Sequence, residues 1–399
     1  MLFYGAFPLK RRKKQNMKER YYLTTGLAVL AYILVLLFSI PACKDDMPAP
    51  VVPSDPVKPT EKEPRWTIVN ETESVPGTDD LDGCFSIAFD GGIPYIASID
   101  KLHPNSITVR KFNGKYWETV GEAGFTHGTV AIRNLRLRFY DHVPYLLLQR
   151  TDAYLAVAKY NGTEWGLVVP NDPYFNTGGA SGLCGAVASY NNNPYIAYRV
   201  KGETLTKVWW VDGEWKRLSN IDVSPRFIEL ASDGQSLYFL CGEDASPHAV
   251  IVKKFNGTAW ETIGKPVGEN IDQASLMFDG QTPYIVYGSS TTGVLGVVRF
   301  NGNAWEKVGS DLEFDGLFPA CLVFDQQIPY IMYQSKLSGE AVLRKFDGME
   351  WKTVYTEKTD DYDIAYKKFV FGFSDDHVPV IVHLDKRGSH FVLGVSRYI

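Results

Sequence analysis

Three arginines fall within six residues, Arg133-Asn134-Leu135-Arg136-Leu137-Arg138. A guanidinium is a planar, permanently charged fork of donors that matches carboxylate, phosphate or sulfate. Arg226 and Glu229 stand in a later segment of similar pattern, Glu229 at the place of Arg136. Because an unpaired buried charge costs several kcal/mol, such a set has two uses. It binds an anionic ligand such as a carboxylate or sulfated sugar, or it neutralises itself as an Arg–Glu network; the network is the plainer reading. His127 with Phe125, Tyr174 with Phe175, and Tyr362 with Tyr366 place aromatic and polar groups in loops, where rings can stack on sugar faces. The acidic runs Asp79, Asp80, Asp82 and Asp360, Asp361, Asp363 offer oxygens of the kind calcium takes, but not at EF-hand spacing, and they read as solvated rims. No metal ligand, cofactor or catalytic residue is assigned, since no pair or triad has the spacing of a known reaction.

The remaining chemistry narrows the class further. The five cysteines, Cys43, Cys84, Cys184, Cys241 and Cys321, are far apart and include no CxxC, so buried free thiols are expected rather than a metal site or disulfide framework. A net charge of −5 argues against a nucleic-acid partner, which needs a basic surface.

The elements that must position these residues come from an internal repeat of about 47 residues. One half is an apolar run, a polar turn and Pro-Tyr, as in Phe89-Asp90-Gly91-Gly92-Ile93-Pro94-Tyr95-Ile96. Its proline position recurs at Pro94, Pro144, Pro194, Leu237, Pro283, Pro329 and Pro379. The other half is an apolar run, Asn-Gly or Asp-Gly, then Trp, at Trp117, Trp165, Trp215, Trp260, Trp305 and Trp351. Asn-Gly between alternating apolar residues signals a hairpin, because both residues tolerate positive φ. Each unit thus reads as four short antiparallel strands. The last unit ends at Ile399 without its fourth strand, and Arg65-Trp66-Thr67-Ile68-Val69 matches the missing piece. The chain is therefore expected to form an all-β, single seven-bladed β-propeller over 65–399, closed by an N-terminal strand pairing with the C-terminal blade.

In that architecture the two hairpin turns of each blade lie on one face and are nearly constant, which suits scaffold. The connections on the other face vary, and ligand binding is expected there, around the central channel. Arg136, Arg138, Arg226 and Glu229 then lie on inner strands. The cations before the Asn-Gly turns (Lys111, Lys159, Lys254, Arg299, Lys345) are expected to be solvated or paired across the hairpin with Glu118, Glu261 or Glu306.

Residues 1–42 carry seven Lys/Arg ahead of the apolar run Leu27–Ile40, the pattern of an export signal; Met17 offers a more ordinary start. An uncleaved span over Tyr21–Ile40 is the alternative. Residues 43–64 hold six prolines among charged and small residues and read as a tether.

Ser39-Ile40-Pro41-Ala42-Cys43 resembles a bacterial lipobox, which implies a lipid on Cys43, and Lys44-Asp45-Asp46 resembles the export signal of Bacteroidetes surface lipoproteins. That resemblance implies an outer-membrane or cell-surface location, with the membrane as partner through the lipid. The repeat, Lys-Phe-Asn-Gly-x-x-Trp-Glu-x-Val/Ile-Gly, is similar to surface-lipoprotein propellers of the same group, and its Gly-x-x-Trp half to seven-bladed propeller lectins that bind fucose between blades. The resemblance implies a non-enzymatic binding module for glycan or protein. Two alternatives stay open: a glycoside hydrolase or lyase at the channel mouth, and a scaffold subunit of an outer-membrane complex.

Overall fold

The computed structural model describes residues 66–72, 85–100, 102–128, 132–152, 154–167, 185–201, 205–212, 214–314, 320–335, 341–357, 368–387 and 390–398. Every regular element among them is a strand. Blade 1 runs Phe85–Asp90, Ile93–Asp100, His103–Phe112, Trp117–Thr119. Blade 2 runs Ile132–Tyr140, Val143–Arg150, Leu155–Tyr160, Trp165–Leu167. Blade 3 runs Gly185–Tyr190, Asn193–Arg199, Leu205–Asp212, Glu214–Asp222, and blade 4 Pro225–Ser232, Leu237–Glu243, Val250–Phe255, Trp260–Thr262. Blade 5 runs Gln273–Asp279, Thr282–Ser289, Val294–Phe300, Trp305–Lys307, with Leu312–Glu313 added to its third strand. Blade 6 runs Cys321–Asp325, Ile328–Gln334, Ala341–Phe346, Trp351–Glu357. Blade 7 holds Lys368–Phe373, Pro379–Arg387 and His390–Tyr398, and its outer position is filled by Trp66–Thr72, antiparallel to His390–Tyr398 with Trp66 opposite Tyr398.

The seven first strands touch one another in sequence, and the last touches the first, so they line the axis of a ring. The period-2 alternation of each strand divides its side chains between two neighbours. Ile96 packs toward blade 7, with Val382 and Val395, whereas the adjacent Ala97 packs toward blade 2, with Leu137 and Leu146. The core is accordingly seven separate apolar layers, one at each junction between blades.

Both turn types follow from residue chemistry. In the turn between the first two strands, two consecutive residues adopt positive φ, for example Asp141 (50°) and His142 (60°), the geometry that suits the twist of a tight hairpin. In the turn between the last two, Asn113 Oδ1 accepts the backbone N–H of Lys115 (3.0 Å) and Tyr116 (2.9 Å), and Gly114 supplies a φ of 95°.

The repeated tryptophan is a stitch between blades. Trp165, Trp305 and Trp351 donate from Nε1 to the carbonyls of Val120, Ile263 and Val308 in the preceding blade, at 2.8, 3.0 and 2.8 Å. Each carbonyl is followed by a glycine with positive φ: Gly121, Gly264 and Gly309. A Cβ on Gly264 would stand 2.5 Å from Trp305 Cδ1. The preceding blades at Trp117 and Trp260 lack this Val/Ile-Gly step, and both indole N–H groups are buried without an acceptor. The motif Trp-Glu-x-Val/Ile-Gly therefore encodes the indole's landing place on the next blade.

Cys241 and Cys321 are free thiols, as the cysteine spacing implies, and burial pushes Cys241 up to about 12.

Candidate functional site

The arginine segment forms the inner strand of blade 2, with Leu135 and Leu137 turned into the blade 1 layer and Arg136 and Arg138 half-buried on the other side. Arg138 Nη2 lies 3.8 Å from Glu229 Oε1, on the inner strand of blade 4. Glu229 Oε2 accepts the backbone N–H of Leu276 in blade 5 at 2.9 Å. Arg136 does not take the glutamate that stands at its own repeat position; its Nη1 donates to the carbonyl of Ile228 at 3.4 Å. Burial, and then repulsion by Arg138, lower Arg136 to about 10, against the opposing pull of Glu229. Tyr140 donates to the carbonyl of Val187 at 2.7 Å, and burial holds its hydroxyl well above the usual range. Arg138 and Glu229 thus form an Arg–Glu pair, while Arg136 rests on a backbone carbonyl, so the cluster keeps one positive charge in excess. Glycoside hydrolysis needs two carboxyls roughly 5–9.5 Å apart; Glu229 has one oxygen on a backbone N–H and the other facing an arginine.

The other sequence candidates disperse. Arg133 and Arg226 each sit at a β-bulge near the start of the inner strands of blades 2 and 4, and both are exposed. Arg226 reaches toward blade 5, donating to the carbonyl of Ile271 (3.3 Å) and lying 3.8 Å from Asp272. His127 is exposed, 3.9 Å from Glu122. Phe125 is not available for stacking: it is buried flat against Trp165, with ring centroids 4.9 Å apart. Cys43, Tyr174 and Tyr362 lie outside the described residues, as do the export signal, the tether and most of the variable loops.

A cavity of about 640 Å³ opens instead on the hairpin face, between blades 1 and 2. Blade 1 contributes Tyr95, Lys111, Thr119, Val120 and Gly121. Blade 2 contributes His142, Val143 and Pro144 from one hairpin, and Lys159, Tyr160, Asn161 and Gly162 from the other. Gly121 forms part of the lining because a Cβ there would stand 2.8 Å from Trp165 and 3.2 Å from Tyr160. The stitch that joins the blades thus also brings the Tyr160 ring down beside Tyr95. Burial raises the Tyr95 hydroxyl, with Asp90 and Tyr160 adding to the shift, so it stays a donor at neutral pH. His142 Nδ1 bonds Asp90 Oδ1 at 2.8 Å across the blade boundary. Lys159 Nζ lies 5.4 Å from the centre of the Tyr145 ring, a cation–π contact repeated by Lys254 over Tyr238 and Lys345 over Tyr330.

Of the two expectations for these cations, solvation or cross-hairpin pairing, pairing is the exception. Lys111 and Lys254 stand opposite Glu118 and Glu261, but the carboxylates accept the side-chain amides of Asn113 and Asn256, each at 2.5 Å. Only Arg299, among the described residues, keeps an ion pair with its opposite glutamate, Glu306 at 3.8 Å. The cleft had one signal in the sequence. Phe112, Phe255, Phe300 and Phe346 precede the Asx-Gly turn in four blades, and Tyr160 replaces them in blade 2.

No protein-family model matches the chain, and no curated protein matches it. Solved structures do. The Aleuria aurantia lectin in complex with Fucα1-6GlcNAc superposes with a TM-score of 0.46 at 11% identity, over 70% of this chain and 96% of the lectin. The SapL1 lectin in complex with α-methyl fucoside gives 0.49 at 11%, over 71% and 100%. The Trypanosoma rangeli sialidase with sialic acid gives 0.43 at 11%, over 79% of this chain and 54% of the sialidase. The Aleuria lectin is described as six-bladed, so it is not one of the seven-bladed lectins the repeat resembles. Likenesses this distant decide neither ligand nor activity.

Proposed function

We propose that the protein is a carbohydrate-binding module of a bacterial cell surface, held there by a lipid on Cys43 and set away from the membrane by the proline-rich tether. The observation that carries the carbohydrate reading is the lining of the cleft between blades 1 and 2. Tyr95 and Tyr160 offer ring surface for the C–H faces of a sugar, while Lys111, His142, Lys159 and Asn161 surround them with side chains that bond hydroxyl and acidic groups. The volume falls within the range of small-ligand sites, roughly 300–1,000 Å³. In this reading binding occurs on the hairpin face, whereas the sequence pattern favours the variable-loop face. In the channel cluster, by contrast, Glu229 already faces Arg138.

A glycan array tests the reading. Saturable hits that are lost in Tyr95→Ala, with the melting temperature unchanged, support it. Hits that persist in this variant and disappear in Arg136→Ala would move the site to the channel. For the anchor, metabolic labelling with palmitate should mark the wild-type chain and not Cys43→Ala; equal labelling of the two would remove the lipid from the proposal.

A further inference from the structure

We infer that the cleft between blades 1 and 2 selects sugars carrying a negative charge, a uronate carboxylate or a sulfate ester; this rests on the carbohydrate reading above. The inference comes from a departure of blade 2 from the pattern of blades 1, 4 and 5; blade 6 departs differently, with Lys352 opposite Lys345. In blades 1, 4 and 5 the cation before the Asx-Gly turn has a glutamate in register across the hairpin: Lys111 with Glu118, Lys254 with Glu261, Arg299 with Glu306. In the same three blades that glutamate accepts the turn asparagine's side-chain amide, at 2.5 Å each. Blade 2 has Gly166 at this position, opposite Lys159. Lys159 therefore has no carboxylate across from it, and Asn161 has no glutamate to receive its amide hydrogens. A Cβ at Gly166 would meet no heavy atom within 4 Å, so the space is open.

Both residues line the cleft, and the rest of the lining strengthens the sign. Lys111 enters from blade 1, and no carboxylate belongs to the lining. Two acids of blade 1 are turned to other partners, Asp90 to His142 and Glu118 to Asn113. An ammonium group shielded from water needs an anionic partner, and charge-assisted hydrogen bonds to carboxylate or sulfate are about twice as strong as neutral ones. A neutral sugar would leave Lys111 and Lys159 uncompensated as it displaced their water. Asn161 and the Tyr95 hydroxyl would then orient the ring by its hydroxyls.

The experiment titrates the full-length protein, by calorimetry, with four probes: oligogalacturonate, its methyl ester, a sulfated galactan oligomer, and polyglutamate as a non-sugar anion. Oligogalacturonate, the sulfated oligomer or both should bind, and esterification should weaken binding by about ten-fold or more, the worth of one charge-assisted hydrogen bond. Lys159→Gln should cause a similar loss. Gly166→Glu, which introduces the pattern of blades 1, 4 and 5 in open space, should abolish binding with no change in the melt. Tight binding of the methyl ester, lost in Tyr95→Ala, would overturn the charge selection and leave the carbohydrate reading standing. No binding by either charged sugar, together with a blank neutral array, would overturn both. Undiminished binding in Gly166→Glu, or equal binding of polyglutamate, would also overturn the inference.

Discussion

The claim that each Val/Ile-Gly step is the landing place of the next blade's tryptophan can be tested at Gly264. An added methyl would meet Trp305 Cδ1 at 2.5 Å and Nε1 at 2.7 Å, closer than real Cβ contacts come, and φ there is +68°. Three effects combine. Left-handed backbone costs a non-glycine residue about 1–2 kcal/mol. Overpacking a well-filled site adds about 1–3 kcal/mol. Displacing the indole from the carbonyl of Ile263, now 3.0 Å away, forfeits about 1 kcal/mol more. Gly264→Ala should therefore destabilise by about 3–6 kcal/mol. Gly280→Ala isolates the backbone contribution: its φ is +56°, and a methyl there would meet nothing within 4 Å. It should cost only about 1–2 kcal/mol. Urea unfolding followed by tryptophan fluorescence reads both. Equal losses in the two variants would refute the stitch, because strain alone would then explain Gly264.

Three further outcomes follow from the same structure. Glu229→Gln keeps an acceptor for Leu276 but leaves Arg136 and Arg138 without a counter-charge; stability should fall by about 1–3 kcal/mol, less than the roughly 3–5 kcal/mol of a fully buried pair because the Arg138 side chain is 37% exposed. In blade 1, Asp100 is held below the usual carboxylate range: burial pushes it up, but bonds from Thr108 and the Leu102 N–H, with Arg110 and His103 nearby, outweigh burial. Its contribution is present above the unfolded value near 3.9 and is lost as pH falls through the lower folded value, so Asp100→Asn should reduce stability at neutral pH and flatten the acid limb of the stability–pH curve. Deleting Trp66–Thr72 bares the outer edge of His390–Tyr398, and the truncated protein should melt lower and self-associate in light scattering; an unchanged melt would show that this strand contributes nothing to the ring.

The fold was legible because both repeat halves are tied to geometry. Asn-Gly turns demand a glycine at positive φ, and Pro-Tyr and Trp recur at the second and fourth strands of successive blades, so blade number could be counted directly. The charged network was half legible. Inner-strand position identifies Arg136, Arg138 and Glu229, but repeat alignment pairs Glu229 with Arg136, whereas the long Arg138 side chain reaches it across the ring. Arg133 and Arg226 stand apart from this network for a local reason: each occupies a bulge, which shifts its side chain out of the alternation that the pattern assumes. The cleft was hardest to read. Its distinguishing residues, His142, Tyr160 and Gly166, sit inside motifs that look like scaffold, and only comparison with the same positions of other blades reveals Tyr for Phe and Gly for Glu.

In blades 1, 5 and 6, the third and fourth strands meet at Phe112 and Trp117, Phe300 and Trp305, and Phe346 and Trp351, joined by a short Asx-Gly turn. In blade 7 the corresponding pair is Tyr398 and Trp66, with no turn between them. The polypeptide is thus a circle of hairpins cut at one turn, and the position of the cut is arbitrary with respect to every blade contact. Joining Tyr398 to Trp66 through an Asn-Gly turn and opening the chain at Asn256-Gly257 would yield a circular permutant with every strand pair preserved. Its new ends would emerge beside blade 4, on the opposite side of the ring, so an anchor grafted there would present the cleft between blades 1 and 2 outward at a different angle.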